Sequence, residues 1–137
     1  MGFDDDLIAH FRENRGVVTK GPFTGRDLLV LTTTGASSLR ARTHPLVYTR
    51  DGVQYLVIAS MGGAPTHPAW YHNLRKHPEV IVEVGPETFR ATATAYGRGP
   101  ERRRLYDQHA AINPGFKEYE QQTTREIPAV LLERLPG

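Results

Sequence analysis

Two kinds of hydrophobic pattern alternate along the chain. Near its start, Leu7, Ile8 and Phe11 recur at helical spacing behind Asp4, Asp5 and Asp6, carboxylates that suit the positive end of a helix dipole, and Gly16 stops the run. "DLLVLTTTG" (27–35) is apolar, β-branched and too short for a typical helix, so it predicts a buried strand ended by Gly35. Within "HPLVYTRDGVQYLVIAS" (44–60), two strand-like runs meet at Asp51-Gly52, a pair that supplies the positive φ of a tight hairpin turn.

"PAWYHNLRK" (68–76) predicts a helix with Pro68 in its first turn, Trp70 and Leu74 on one face and Pro78 beyond its end. "EVIVEV" and "TFRATATAY" flank Gly85-Pro86. The second sets Phe89, Ala91, Ala93 and Ala95 against Arg90, Thr92 and Thr94, the alternation of a half-buried antiparallel pair. "ERRRLYDQHAAI" and "FKEYEQQT" predict two helices parted by Asn113-Pro114-Gly115, and "PAVLLERL" predicts a closing strand. The order is helix, three strands, helix, two strands, two helices, strand. It indicates an α+β chain of mainly β character, a small antiparallel barrel decorated by helices, as one domain over residues 1–137 without linker or repeat.

Composition narrows the chemistry. Lys and Arg total 17 against 15 Asp and Glu, a net charge of +2 that gives no broad field for nucleic acid. No apolar run approaches the ~18 residues of a spanning helix, and the start lacks the basic and apolar regions of a signal peptide, so the chain reads as cytoplasmic. With no cysteine there is no disulfide, thiolate nucleophile or iron–sulfur site. A G-x-G-x-x-G fingerprint is absent, which argues against nicotinamide binding of that type, and so is a G-x-S-x-G elbow, which argues against hydrolysis. His67, His72 and His77 lie five apart, each turned about 140° from the last on a helix. They form no common metal face, so no metal is expected, and they read as solvated or capping side chains. Arg98, Arg102, Arg103 and Arg104 read as a solvated helix face.

The densest stretch is "ASMGGAPTHPAWYHNL" (59–74). Trp70 and Tyr71 are either core residues of a helix packed on the barrel or part of a ligand wall. Gly62-Gly63 is either a plain turn or a place where missing side chains let a ligand approach the backbone, just ahead of a helix N-terminus with free N–H groups. Both readings stand for each pair.

"LLVLTTTG", "HPLVY", G-G-A-P followed by H-P-A-W-Y-x-N-L, and the closing R-x-I-P-A-V-L-L-E-R resemble the deazaflavin-dependent nitroreductase family, quinone reductases that use reduced coenzyme F420. The resemblance covers about residues 8 to 135. It implies a split β-barrel related to FMN-binding barrels, with N-terminal, central and C-terminal helices. The cofactor it implies is coenzyme F420, an 8-hydroxy-5-deazaflavin, and the activity is hydride transfer to an electron-poor acceptor such as a quinone, nitroaromatic or activated enone. It also implies coenzyme contacts at Arg40, Arg42, Thr43, Pro45, Ala59, Ser60, Met61, Gly62, Gly63, Trp70 and Asn73, and acceptor contacts at Trp70, Phe116 and Tyr119. Since the coenzyme carries the hydride, no side chain is an essential catalyst, and Tyr119 and Ser60 are the candidate proton donors.

The chain departs from the family pattern at Ala36 and Ser37, where relatives carry basic residues that grip the coenzyme's anionic tail, and at Met61, another common basic position. Arg40 and Arg42 are left for that role. Phe116 stands where relatives often place a tyrosine. The partner implied is a small-molecule acceptor and no nucleic acid; a quinone substrate would also allow peripheral contact with the inner face of the cell membrane. The alternative is a binding or storage protein on the same barrel, holding a deazaflavin, flavin or lipid without turnover.

Overall fold

The computed structural model describes residues 3–136. In chain order the elements are α1 (Phe3–Glu13), β1 (Leu28–Thr34), β2 (Ala41–Val47), β3 (Thr49–Asp51), β4 (Gln54–Ile58), a 3₁₀ turn (Met61–Gly63), α2 (Ala69–Lys76), β5 (Glu79–Val84), β6 (Glu87–Tyr96), α3 (Pro100–Ile112), α4 (Gly115–Gln121) and β7 (Ala129–Arg134). The run expected as one strand from His44 breaks at Tyr48: β2 pairs with β1, while β3 pairs with β4 through the Asp51–Gln54 hairpin. Pro45, lacking an N–H, is accommodated because β2 is an edge strand.

All pairings are antiparallel, in the order β2-β1-β5-β6-β7-β4-β3. The two edge strands are joined in the chain by Tyr48 alone. The sheet must therefore curl until its edges meet, which makes it a split barrel.

Side-chain alternation sorts the core into an inside and an outside. Leu29 and Leu31 of β1 and Tyr55 and Val57 of β4 point into the barrel with Val82, Ala91 and Leu132. Their neighbours Leu28 and Val30 meet Ile8 and Phe11 of α1, and Leu56 and Ile58 meet Leu105 and Tyr106 of α3. Strands covered on both faces read as continuous apolar runs, whereas β6, with solvent on one face, keeps the strict alternation seen in its sequence. Trp70, Tyr71 and Leu74 of α2 enter the inside cluster.

One expectation is corrected on α3. Arg102 is no solvated residue: it is 3% exposed, donates from Nε to the Ile127 carbonyl at 2.8 Å and pairs through Nη2 with Glu120 at 3.0 Å. Burying the charge is tolerable because both a carbonyl and a carboxylate answer it. Arg103 and Arg104 lie at the surface in ion pairs with Asp107, Glu120, Glu101 and Asp51.

Candidate active site

Leaving β4, the chain passes through Ala59 and Ser60 and then turns on three successive residues of positive φ, Met61 (49°), Gly62 (64°) and Gly63 (85°). The two glycines have different reasons. A Cβ on Gly63 would come within 2.6 Å of Gln122 Oε1 and 3.1 Å of the Tyr119 carbonyl, so its absence lets α4 pack on the turn. Apart from its chain neighbours, no described residue lies within 4 Å of where a Cβ on Gly62 would stand. Met61 pays conformational strain with no glycine to relieve it, and such strain collects at ligand sites.

That turn forms one side of a cleft of about 510 Å³, within the range of small-ligand pockets. His44, Pro45, Leu46 and Val47 of β2 line it, with Ile58, Ser60, Met61 and Gly62, the start of α2 at Pro68, Ala69 and Trp70, and Phe116 and Tyr119 of α4. Asp4, Phe23 and Arg26 complete it. The walls are largely apolar and aromatic, and polar groups are few. The hydroxyls of Ser60 and Tyr119 make no hydrogen bond among the described residues. Burial holds the His44 imidazole below its usual pKa, with the charge of Asp4 opposing and that of Arg42 adding to the shift, and its Nε2 is buried without a partner. Arg26 donates from Nη2 to Asn113 Oδ1 at 3.0 Å.

The aromatic wall on α4 is fixed from α3. The Tyr106 hydroxyl donates to the Phe116 carbonyl at 2.5 Å, and the His109 ring meets the Phe116 ring edge-on at 4.5 Å between centroids. Phe116 and Tyr119 are themselves perpendicular neighbours at 5.1 Å.

The turn is fixed by Arg125. Its guanidinium donates to the carbonyls of Ala59 (3.2 Å from both Nη1 and Nη2), Ser60 (2.8 Å) and Ala64 (2.8 Å), and Nη1 also meets His67 Nδ1 at 2.9 Å. Three carbonyls around a tight turn are thus answered by one planar fork, a task that suits arginine. Since Nδ1 of His67 faces a donor it accepts, and the ring proton belongs on Nε2.

Among the residues expected at a site, the cleft gathers Pro45, Ser60, Met61, Gly62, Trp70, Phe116 and Tyr119. Arg42 and Thr43 stand instead exposed on the first half of β2 and Arg40 exposed just before it, although the charge of Arg42 is felt at His44 inside the cleft. Ala59 is fully buried and contributes its carbonyl to the Arg125 fork. Asn73 is buried and spent on structure: Oδ1 accepts the Ala36 N–H at 2.9 Å and Nδ2 donates to Thr33 Oγ1 at 3.1 Å, tying the β1–β2 connection to α2. His67, expected as a solvated or capping side chain, is half-buried and held by Arg125. Asp4, Arg26, His44 and Arg125 were not singled out by the sequence. His44 and Arg125 left a trace there only as the first letters of the motifs HPLVY and R-x-I-P-A-V-L-L-E-R, and Asp4 only as a carboxylate at the start of the first helix. Among the described residues no three His, Asp or Glu side chains converge as a metal site requires, and no helix is long and apolar enough to cross a membrane.

A curled antiparallel barrel with helices on its outside and a cleft at a strand-end turn defines the split-barrel class. The heme storage protein HutZ of Vibrio cholerae shares this fold at 18% identity (TM-score 0.62, covering 100% of this chain and 93% of that one). Within that class, the chain belongs to the F420H(2)-dependent quinone reductase family, which it matches over residues 7–134. It is 43% identical over 108 residues to the F420H(2)-dependent quinone reductase Rv1261c of Mycobacterium tuberculosis, covering 77% of this chain and 72% of that protein. The structure of an F420-H2 dependent reductase, FDR-A, superposes with a TM-score of 0.71 at 35% identity, covering 79% of this chain and 95% of the other. A chain described as a domain-swapped dimer superposes with a TM-score of 0.72 at 31% identity, covering 94% and 93%.

Proposed function

We propose that the chain is an F420H(2)-dependent reductase whose cleft holds coenzyme F420 beside an electron-poor acceptor: a quinone first, with nitroaromatics and activated enones as acceptors of the same electronic type. The observation that carries this reading is the cleft at Gly62, open where a side chain would stand and lined by the aromatic side chains of Trp70 and Phe116. These residues fit a planar ring system, and Arg26 in the cleft, with Arg40 and Arg42 outside it, fits an anionic tail.

Bound in its reduced form, the coenzyme supplies the hydride, which is chemistry the side chains need not perform. The protein's part is to place and to shield. Trp70, Pro45 and Met61 bound the ring site, and the free N–H groups at the start of α2 offer donors to an electron-rich edge. Phe116 and Tyr119 bound the acceptor and keep water from it. The unengaged hydroxyls of Ser60 and Tyr119 are positioned to donate a proton to a reduced acceptor oxygen, each as one source among several.

Steady-state oxidation of reduced coenzyme F420 by a quinone tests the proposal. Turnover with saturation in both substrates is expected. Tight coenzyme binding without any acceptor-dependent oxidation would contradict catalysis and favour a storage protein on the same barrel.

A further inference from the structure

A second recess lies on the other side of the glycine turn, where α2, the end of β6 and the segment before β7 meet. Its volume is about 590 Å³. His67, Tyr71 and Arg75 line one side, Tyr96 and Arg98 another, and Arg125 and Glu126 a third.

Its charge is unanswered. Elsewhere Arg12, Arg90, Arg102, Arg103, Arg104 and Arg134 each hold a carboxylate. Here Arg125 spends its donors on carbonyls and His67, and Arg75 and Arg98 make no hydrogen bond or ion pair among the described residues. Glu126, exposed at the edge, is the one lining carboxylate against three guanidiniums. The field registers at His67, whose pKa is lowered by burial first and then by the charges of Arg125, His72 and Arg75.

Its donors are also unspent. Tyr71 is 4% exposed, its hydroxyl lies beside Gly97 and it makes no hydrogen bond among the described residues. That hydroxyl opens onto the recess and is free to donate to a ligand there. The Arg125 bond fixes the Nε2–H tautomer of His67, and the rings of His67 and Tyr71 lie 4.8 Å apart, which puts two neutral donors in one recess with two guanidiniums that hold no carboxylate.

We infer that this recess is an oxyanion site, taking the phosphate or carboxylate group of a small molecule between Arg75, Arg98, Tyr71 and His67. Guanidiniums and fixed neutral donors around a polar recess are the chemistry that recognises such groups. Because Arg125 joins the floor of this recess to the carbonyls of Ala59 and Ser60, an anion here bears directly on the turn that lines the first cleft. The inference rests on these residues and does not depend on the identity of the coenzyme.

The imidazole NMR signals of His67 provide the test, followed while inorganic phosphate is added at fixed ionic strength and pH. A saturable shift and a raised His67 pKa are expected, with the other histidines moving less. The double variant Arg75→Gln/Arg98→Gln removes two exposed side chains that hold no carboxylate, Arg75 having only a cation–π contact at 5.7 Å with Tyr71, so it should fold normally and bind phosphate at least about tenfold more weakly. Tyr71→Phe should weaken it less. A response that chloride reproduces, that fails to saturate, or that survives the double variant overturns the site. Repeating the titration with saturating coenzyme F420 identifies the source: a surviving response means a separate anion, and a lost one means that the coenzyme's own tail fills the recess.

Discussion

Arg125 donates from Nη2 to the carbonyl of Ser60 at 2.8 Å, holding from behind a residue whose hydroxyl lines the cleft. The same guanidinium reaches Ala59 and Ala64, so a single side chain spans both ends of the turn. Arg125→Lys keeps the charge and loses the fork. It should lower stability by about 1.5–3 kcal/mol, the range for hydrogen bonds to a charged group, and weaken coenzyme binding through the loosened turn. Chemical denaturation and a coenzyme titration measure both effects; unchanged values would mean that the turn holds itself.

How much of this was legible depends on the range of the contacts. The helices, most strands and the Asp51–Gly52 hairpin follow from local patterns, because Phe89, Ala91 and Ala93 alternate and Leu7, Ile8 and Phe11 share a helix face whatever lies elsewhere. The break at Tyr48 does not follow, since it arises from closing the sheet. Arg102 and Arg104 look alike in sequence, and only the chain passing Ile127 and Glu120 makes one buried and the other exposed. Asn73 stands inside the family motif, yet its amide is spent on Thr33 and Ala36 across 40 and 37 residues of chain. Motif letters mark positions that matter without separating ligand contact from support.

His109 makes stability sensitive to acid. It is fully buried, its Nδ1 bonds Thr49 Oγ1 at 2.8 Å, and burial, with a smaller contribution from Arg26, brings its pKa down to about 4. The unfolded chain takes up this proton near pH ~6.5 and the folded chain does not, so stability is full above that pH and falls as the pH drops towards 4. The loss from this one group should reach about 3 kcal/mol. His44 and His67 act in the same direction, so the comparison is with His109→Gln, whose stability should fall less steeply between pH 6.5 and 4. Parallel curves for the two proteins would exclude His109 as the cause.

Phe116 offers the acceptor a ring and no donor, so Phe116→Ala should raise KM for a bulky quinone more than it lowers kcat, the pattern of lost uniform binding. Tyr119→Phe should slow turnover by less than the ~10² to 10⁴-fold typical of a sole general acid, because Ser60 and solvent remain. Steady-state kinetics with a small and a bulky quinone separate the two effects. A collapse of kcat at constant KM in Phe116→Ala would place this wall in the chemistry instead of the fit.

Arg42 stands exposed on β2 while its charge reaches His44 in the cleft. Arg42→Ala should weaken coenzyme binding about tenfold or more at low salt, and the deficit should shrink as salt screens the contact. An unchanged dissociation constant at low salt would show that the anionic tail takes another path.

Trp70 is the one tryptophan of the chain and lies in the wall of the cleft, so its indole N–H NMR signal reports occupancy there directly. Oxidised coenzyme F420 and FMN are to be titrated separately while that signal is followed. If the cleft is the deazaflavin site, the indole signal shifts saturably with the coenzyme, and at lower concentration than with FMN. An indole signal unmoved at saturating coenzyme, or FMN binding as tightly or more tightly, would contradict it.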